Sequence, residues 1–275
     1  MYRRKEKNMY LDDVLQNVKG WAKEAGKIQM SYFRKASLQI ESKSSQVDLV
    51  TEADKKSEAY ILEAIKKTYP DHSILSEETG VTDKASKYEW VVDPLDGTTN
   101  FAQGIPVFAV SIALKEEGHS VLGVVYNPVL DELFYAIRGK GAYLNESKLS
   151  VSAKNELKHC VLASGFPYSR ATNYDNNALH FGHMVPRVRG LRRLGAAAYD
   201  LANVAAGVMD GYWEMGLGEW DIAAGRLLVT EAGGEILEWE GKTPWAIIAG
   251  NKAIACKIKE ELIHAEEKRD GFEKL

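Results

Sequence analysis

Between Ile74 and Ile137 the chain reads as short apolar runs at close intervals, each cut off by turn residues, and this pattern limits the fold more than any other feature. The runs are Glu89 to Val92, Phe108 to Leu114, Val121 to Tyr126 and Leu133 to Ile137. The breaks are Glu117-Gly118, Asn127-Pro128 and Gly139-Lys140-Gly141. Strands joined by such short turns pair antiparallel, so a meandering sheet is expected here.

Helical patterns flank this region. Leu11, Val14, Leu15, Val18, Trp21, Ala22 and Ala25 recur at the spacing of one helix face, with Asp12 and Asp13 read as caps near its start. A second helix is expected from near Asp54 to Tyr69-Pro70. Between the two, Glu41 to Gln46 reads as a polar, mobile stretch. After about Val151 the pattern alternates: a strand at Val161 to Ala163, a helix through Leu179 to Met184 and an Ala-rich buried helix from Ala196 to Gly207. A strand at Tyr212 to Met215, a helix at Ile222 to Glu231, a strand at Ile236 to Trp239 and a last helix carrying Ile254, Ile258 and Leu262 follow. An antiparallel half (1–150) followed by an alternating half (151–275) suggests layered α/β sandwiching in one catalytic unit.

Composition removes several function classes. A net charge of −4 gives no general pull toward nucleic acid or an anionic membrane. The two cysteines, Cys160 and Cys256, lie in no close-spaced metal pattern, which speaks against a zinc site and a disulfide framework and fits a reducing cytoplasm. No apolar run approaches the roughly 20 residues of a membrane helix. The G-x-x-x-x-G-K-[ST] and G-x-G-x-x-G phosphate loops are missing from the sequence, which disfavours kinase, NTPase and dinucleotide-binding readings.

Acidic residues stand at four expected element boundaries: Asp54, Glu77-Glu78, Asp93 with Asp96, and Asp221. Ends of strands and starts of helices are where an α/β protein gathers a site. In Asp93-Pro94-Leu95-Asp96-Gly97-Thr98-Thr99-Asn100-Phe101, two carboxylates three positions apart precede a Gly-Thr-Thr turn. Hard divalent cations take oxygen ligands, and the Gly97 and Thr98 amides would face an anion held by them. Each station also has a plainer reading: Asp54 and Asp221 as helix N-caps, Glu77-Glu78 as solvated loop acids, and Asp-Pro and Asp-Gly as turn formers.

Residues 93–101 together with Trp220-Asp221-Ile222-Ala223-Ala224-Gly225 resemble the two signature motifs of the inositol monophosphatase family. Val47 to Asp54 and Ser76-Glu77-Glu78-Thr79 match two further stretches of that family in the same order, and the resemblance runs from about Val14 to Leu262. It implies an α+β, layered αβαβα sandwich of the inositol monophosphatase and fructose bisphosphatase type. It also implies a lithium-sensitive, magnesium-dependent phosphomonoesterase, a homodimer as a rule, acting on a small phosphorylated substrate with two to three Mg2+ per site. By the same resemblance Glu77, Asp93 and the Leu95 carbonyl would hold one magnesium, and Asp93, Asp96 and Asp221 a second. A weaker third ion would lean on Glu77. Thr98, bonded to Asp54, would orient the attacking water. Asp96, Gly97, Thr98, Gly195, Ala196, Ala197, Glu214 and Asp221 would contact substrate, and Lys43 would sit on a loop that closes over it.

Two departures from the family pattern stand out. Leu95 replaces the usual isoleucine, and Ala196 stands where serine or threonine is common, which opens the question of alcohol specificity. Inositol phosphate is the leading substrate, with fructose bisphosphate and the 2′-phosphate of NADP as alternatives. Arg187, Arg189, Arg192 and Arg193 would either meet a second phosphate or nucleotide, or form a solvated or dimer-facing strip. A binding module without catalysis is the rival from another class, disfavoured because every acid and Thr98 are kept. The chain is expected in the cytoplasm, without nucleic-acid or membrane partners.

Overall fold

The computed structural model describes residues 2–35, 40–42, 49–173, 175–239 and 246–272. The first apolar stripe lies on α1 (Tyr2–Tyr32), where Leu11, Val14, Leu15, Val18, Trp21, Ala22 and Ala25 are all buried. Because α1 starts well before them, Asp12 and Asp13 are exposed positions inside the helix and not caps; Asp12 pairs with Lys140 at 2.7 Å. The stripe marks only the stretch that packs on the sheet, and the helix extends past it through charged residues.

A two-stranded ribbon follows, β1 (Ile40–Ser42) with β2 (Leu49–Thr51), in which Glu41 lies opposite Val50. Glu41 therefore belongs to a strand, contrary to the mobile stretch expected there, while Lys43 lies outside the described residues. Helix α2 (Glu52–Thr68) begins at the N-cap Thr51, whose side chain accepts from the Ala53 and Asp54 amides. Asp54 is the third helical residue and returns the favour by accepting from the Thr51 amide at 2.9 Å, so it closes a capping box and is not the cap.

Among the described residues the main sheet has eight strands. They are β3 (Ser73–Ser76), β4 (Gly80–Thr82), β5 (Tyr88–Asp96), β6 (Ala109–Glu116), β7 (His119–Asn127), β8 (Glu132–Ile137), β9 (Gly141–Leu144) and β10 (Ser147–Lys148), ordered β10-β9-β8-β7-β6-β5-β3-β4. From β5 to β10 it is the antiparallel meander expected, and β3 joins parallel to β5. The short α3 (Thr98–Ala102) follows β5 directly.

The second sheet combines β11 (Val161–Ser164), β12 (Gly190–Arg192), β13 (Gly211–Glu214), β14 (Glu235–Trp239) and β15 (Ala246–Gly250) in the order β12-β11-β13-β15-β14. Helices α4 (Ala178–Met184), α5 (Ala197–Ala205), α6 (Glu219–Glu231) and α7 (Lys252–Phe272) complete the chain.

Strand alternation sorts the core into layers. Trp90 and Val92 of β5 point to α1 and α2, with Ile112, Leu122 and Val124 beside them. Val91 points the other way, with Ala109, Ala113 and Val125, onto α5 and α6. The far side of those helices meets Tyr212, Ile247 and Ala249 of the second sheet. Trp213 and Ile248, on its outer face, are covered by Met184, Ile254, Ile258 and Leu262 from α4 and α7. The result is an αβαβα sandwich. Small residues let the middle layer approach closely: a Cβ on Gly123 of β7 would lie 3.0 Å from the Ala224 Cα of α6.

Candidate active site

The site begins with an irregularity in β5. Asp93 pairs with Ser111 and Asp96 with Ala109, so three steps along β5 match two along β6. In a regular strand residues three apart face opposite sides; the extra residue of the bulge reverses that parity and turns both carboxylates the same way. Pro94, which cannot donate to a ladder, sits inside the bulge, and its carbonyl accepts from the buried Gln29 Nε2 at 2.7 Å.

Gly97 then turns the chain with φ +94°, and a Cβ there would lie 3.0 Å from the Val107 carbonyl oxygen. A left-handed backbone in that space accepts only glycine. Asn100 ties the turn down by donating to the Val107 and Leu194 carbonyls, both at 2.7 Å.

Asp221 arrives from α6. It is the third helical residue, with Gly218 as N-cap, and accepts from the Gly218 amide at 2.6 Å. Asp54 and Asp221 thus occupy equivalent positions on two helices, each using one oxygen to close its helix start. Asp96 caps a third helix: its oxygens accept from Ala197 (3.0 Å), Ala198 (2.8 Å) and Tyr199 (3.3 Å) at the start of α5. Asp93 accepts from the Leu95 amide at 2.9 Å.

Asp93, Asp96 and Asp221 offer ligand oxygens within 4.8 Å of one another. Glu77, Leu95, Gly97 and Thr98 line the same cavity of about 600 Å³, with Trp220 and Tyr168 at its wall. Three carboxylates this close repel one another. Burial raises Asp93 well above the carboxylate range, with Glu77, Asp96 and Asp221 adding to it. Burial likewise raises Asp221, helped by Asp96 and Glu77. Burial lifts Asp96 to about 7 against the three α5 amides. An all-oxygen, mutually repelling acid cluster in a cavity fits a hard divalent cation.

Beside it, the Thr98 hydroxyl lies 3.0 Å from Asp54 Oδ1 and 3.1 Å from the Leu95 carbonyl. With one hydrogen to give, it serves one acceptor at a time. Burial pushes Asp54 up to about 6, opposed by its bonds from Thr51 and Thr98. The Asp54–Thr98 pair can therefore hold or release a proton near neutrality.

Gly165, Tyr168, Arg193, Gly195, Ala196, Ala197 and Glu214 line an adjoining cavity that shares Asp96, Gly97, Thr98 and Asp221 with the first. Burial brings Glu214 to about 7, opposed by the Tyr212 hydroxyl bonded to it and by Arg193. The Ala197 amide is committed to Asp96, which lines the same cavity.

Each described residue to which the resemblance assigns a role lines one of these two cavities or, as Asp54, bonds the Thr98 hydroxyl between them. Glu78 does not: its amide donates to the buried Glu58, which also receives Ser76 Oγ and the Thr79 amide. The four arginines do not form one strip. Arg187 pairs with Glu261 at 2.9 Å, Arg189 and Arg192 are exposed, and Arg193, exposed as well, lines the second cavity. Asp200 escaped sequence reasoning: it is buried behind Glu214 and Arg193 and raised well above its usual range by burial, then Glu214 and Asp96, with Arg193 opposing. An acid in an Ala-rich buried helix was the signal that could have found it. Gln29 and Glu58 act on backbone groups far away in sequence, and no local pattern marks them, whereas Asn100 stands inside the 93–101 motif without its role being visible there.

The fold and the acid-lined cavity define a layered α/β protein with an oxygen-donor site suited to divalent cations. Comparison with known proteins agrees. Residues 11–270 match the model of the inositol monophosphatase family. The chain is 43% identical to "Nus factor SuhB" of Pasteurella multocida over 245 residues, 88% of this chain and 91% of that one. It is 47% identical to "Inositol-1-monophosphatase" of Synechocystis over 229 residues, 82% and 79% of the two chains. The crystal structure of the extragenic suppressor protein SuhB from Bartonella henselae superposes with a TM-score of 0.84 at 41% identity, covering 91% of this chain and 98% of that one. The protein belongs to the inositol monophosphatase family and is a phosphatase.

Proposed function

We propose that this phosphatase hydrolyses the monophosphate of a neutral polyol, inositol monophosphate first, with two to three magnesium ions. The observation that carries the substrate class is the charge of the alcohol-side cavity. Arg193 is the positive group lining it among the described residues, and the buried Glu214 carboxyl shares the wall with it. A second phosphate there, as in fructose bisphosphate, or the pyrophosphate of NADP would find that one cation shared with an acid. Hydroxyl groups, which both donate and accept, suit an arginine and a glutamate together.

Asp93, Asp96, Asp221, Glu77 and the Leu95 carbonyl would hold the cations. Bound there, divalent cations supply Lewis acidity toward the phosphoryl oxygens and lower the pKa of water. The chain's own contribution is placement. Gly97 and Thr98 position the phosphate by their amides, Thr98 orients the attacking water, and Asp54 takes up its proton through the Thr98 hydroxyl. In the same reading the protein is a lithium-sensitive, cytoplasmic homodimer, and Lys43 belongs to a loop over the substrate.

A relative named Nus factor supports a second reading, in which the chain acts as a binding partner. Retention of the acid cluster and of the Asp54–Thr98 pair favours catalysis. Phosphate release with and without EDTA from inositol 1-phosphate, fructose 1,6-bisphosphate, NADP and simple sugar phosphates tests both. Metal-dependent release with inositol 1-phosphate highest in kcat/KM is expected. A bisphosphate or NADP at the top of the ranking would refute the charge argument.

A further inference from the structure

We propose that Asn177 is a positioning residue that fixes the spacing between the two walls of the alcohol-side cavity and thereby governs which alcohol is accepted. This rests on the polyol phosphate reading above.

Strands β11 and β13 run parallel, with Ser164 opposite Trp213, and both end at the cavity. Beyond Ser164 the chain becomes one wall, Gly165 to Tyr168; beyond Trp213 stands Glu214, the other. The ladder ends where the two walls must be held at a set distance. Asn177 supplies the missing bridge. It is 1% exposed, and its Nδ2 donates to Ser164 Oγ at 2.8 Å and to the Gly165 carbonyl at 2.5 Å. Its Oδ1 accepts from Trp213 Nε1 at 2.8 Å. Ser164 Oγ closes the network by donating to the Trp213 carbonyl at 2.7 Å.

Two details separate this from an ordinary structural asparagine. Asn177 occupies the N-cap of α4, yet its side chain makes no bond to that helix's own amides, the usual work of an asparagine there. Its φ of +70° is left-handed, a conformation that asparagine, aspartate and glycine tolerate best. The walls also touch without slack. A Cβ on Gly165 would fall 2.1 Å from Glu214 Oε2, so the Gly165 backbone lies against the carboxylate that would read the alcohol, and a shift toward it would displace that group. Phe181 of α4 covers the network, 5.4 Å from the Phe166 ring and 6.4 Å from the Trp213 ring.

The test uses Asn177→Gly and Asn177→Asp, both compatible with the backbone. Each is assayed in magnesium on inositol 1-phosphate and on p-nitrophenyl phosphate, which has no polyol hydroxyls. In Asn177→Gly we expect kcat/KM for inositol 1-phosphate to fall about tenfold, mainly through KM, with p-nitrophenyl phosphate changed less than about threefold. Combined with Glu214→Gln, Asn177→Gly should add no further loss, because it acts through Glu214. Asn177→Asp keeps the acceptor for Trp213 but sets an oxygen against the Gly165 carbonyl, so its loss on inositol 1-phosphate should at least equal that of Asn177→Gly. Equal losses on both substrates, or additive losses in the double variant, would overturn the proposal. Wild-type protein that hydrolyses p-nitrophenyl phosphate but not inositol 1-phosphate would overturn the substrate reading, and this proposal with it.

Discussion

Replacing Asp93 by asparagine should make the metal-free protein more stable and remove its stabilisation by magnesium. Asp93 shares a space in which three acidic side chains bring ligand oxygens within 4.8 Å of one another. Two unit charges at that separation repel by about 3.5 kcal/mol at an effective dielectric constant of about 20. Asp93 faces two such neighbours, so full ionisation would cost it about 7 kcal/mol. Without cations the protein escapes most of this by keeping protons: Asp93 and Asp221 are raised by burial first and by the neighbouring acids after it. A neutral amide removes what repulsion is left. It also retains the oxygen that accepts from the Leu95 amide at 2.9 Å, so the loop keeps its shape.

The expected gain is about 1–2 kcal/mol, or about 2–6 °C in Tm for a chain of this size. Wild-type protein in magnesium at about 100 times Kd should gain about 2.7 kcal/mol. By the same conversion its Tm should rise by about 5–8 °C. Calorimetry of both proteins at pH 7.5, in EDTA and across a magnesium titration, measures both effects. An Asp93→Asn protein that melts below wild type in EDTA, or that keeps the wild-type magnesium shift, would refute the reasoning.

Thr98→Ala should leave the magnesium-induced Tm shift intact while lowering turnover by about 10²–10⁴-fold, since the hydroxyl handles a proton and is no ligand; a lost shift in calorimetry would contradict that division. Gly123→Ala should cost about 1–3 kcal/mol, because the new methyl meets the Ala224 Cα at 3.0 Å and its carbonyl at 3.1 Å, both backbone; urea denaturation checks this, and an unchanged midpoint would show the layers can part. His72 Nδ1 accepts from the Trp90 indole at 3.1 Å, and burial lowers the His72 pKa, opposed by Asp71. The folded state therefore favours the neutral ring, and this stability is full above the ordinary histidine value near 6.5 and lost as pH falls through the lowered one. The Tm gap between wild type and His72→Gln should accordingly narrow from pH 7.5 to 5.5, and a widening gap would reverse the assignment.

Much of the fold was legible because burial imposes a local period. The stripe on α1, the meander from β5 to β8 and the apolar face of α7 each repeat at a spacing that neighbours in sequence reveal. Helix starts were less legible. Asp54 and Asp221 read as N-caps, yet Thr51 and Gly218 hold those places, and the acids accept from the N-cap amides from the third position. Glu77 and Glu78 are indistinguishable by type, but only Glu77 lines the acid cavity, while the Glu78 amide donates to Glu58. The arginines were visible as a cluster. Which of them reaches the substrate cavity depends on how each side chain leaves β12 and the segments around it, and only Arg193 does.

The sequence by itself determined the inventory: oxygen donors in place of sulfur and nitrogen, glycine where the backbone turns left-handed at Gly97, and motifs whose order identifies the family. Tertiary structure decided how those donors meet. The bulge in β5 turns Asp93 and Asp96 to one side, the start of α5 receives Asp96, and α6 brings Asp221 within 4.8 Å of both. Parity at a bulge depends on the partner strand, and the meeting of helix ends depends on which apolar faces bury one another. Neither is a property of residues adjacent in the chain, so neither can be read from local pattern alone.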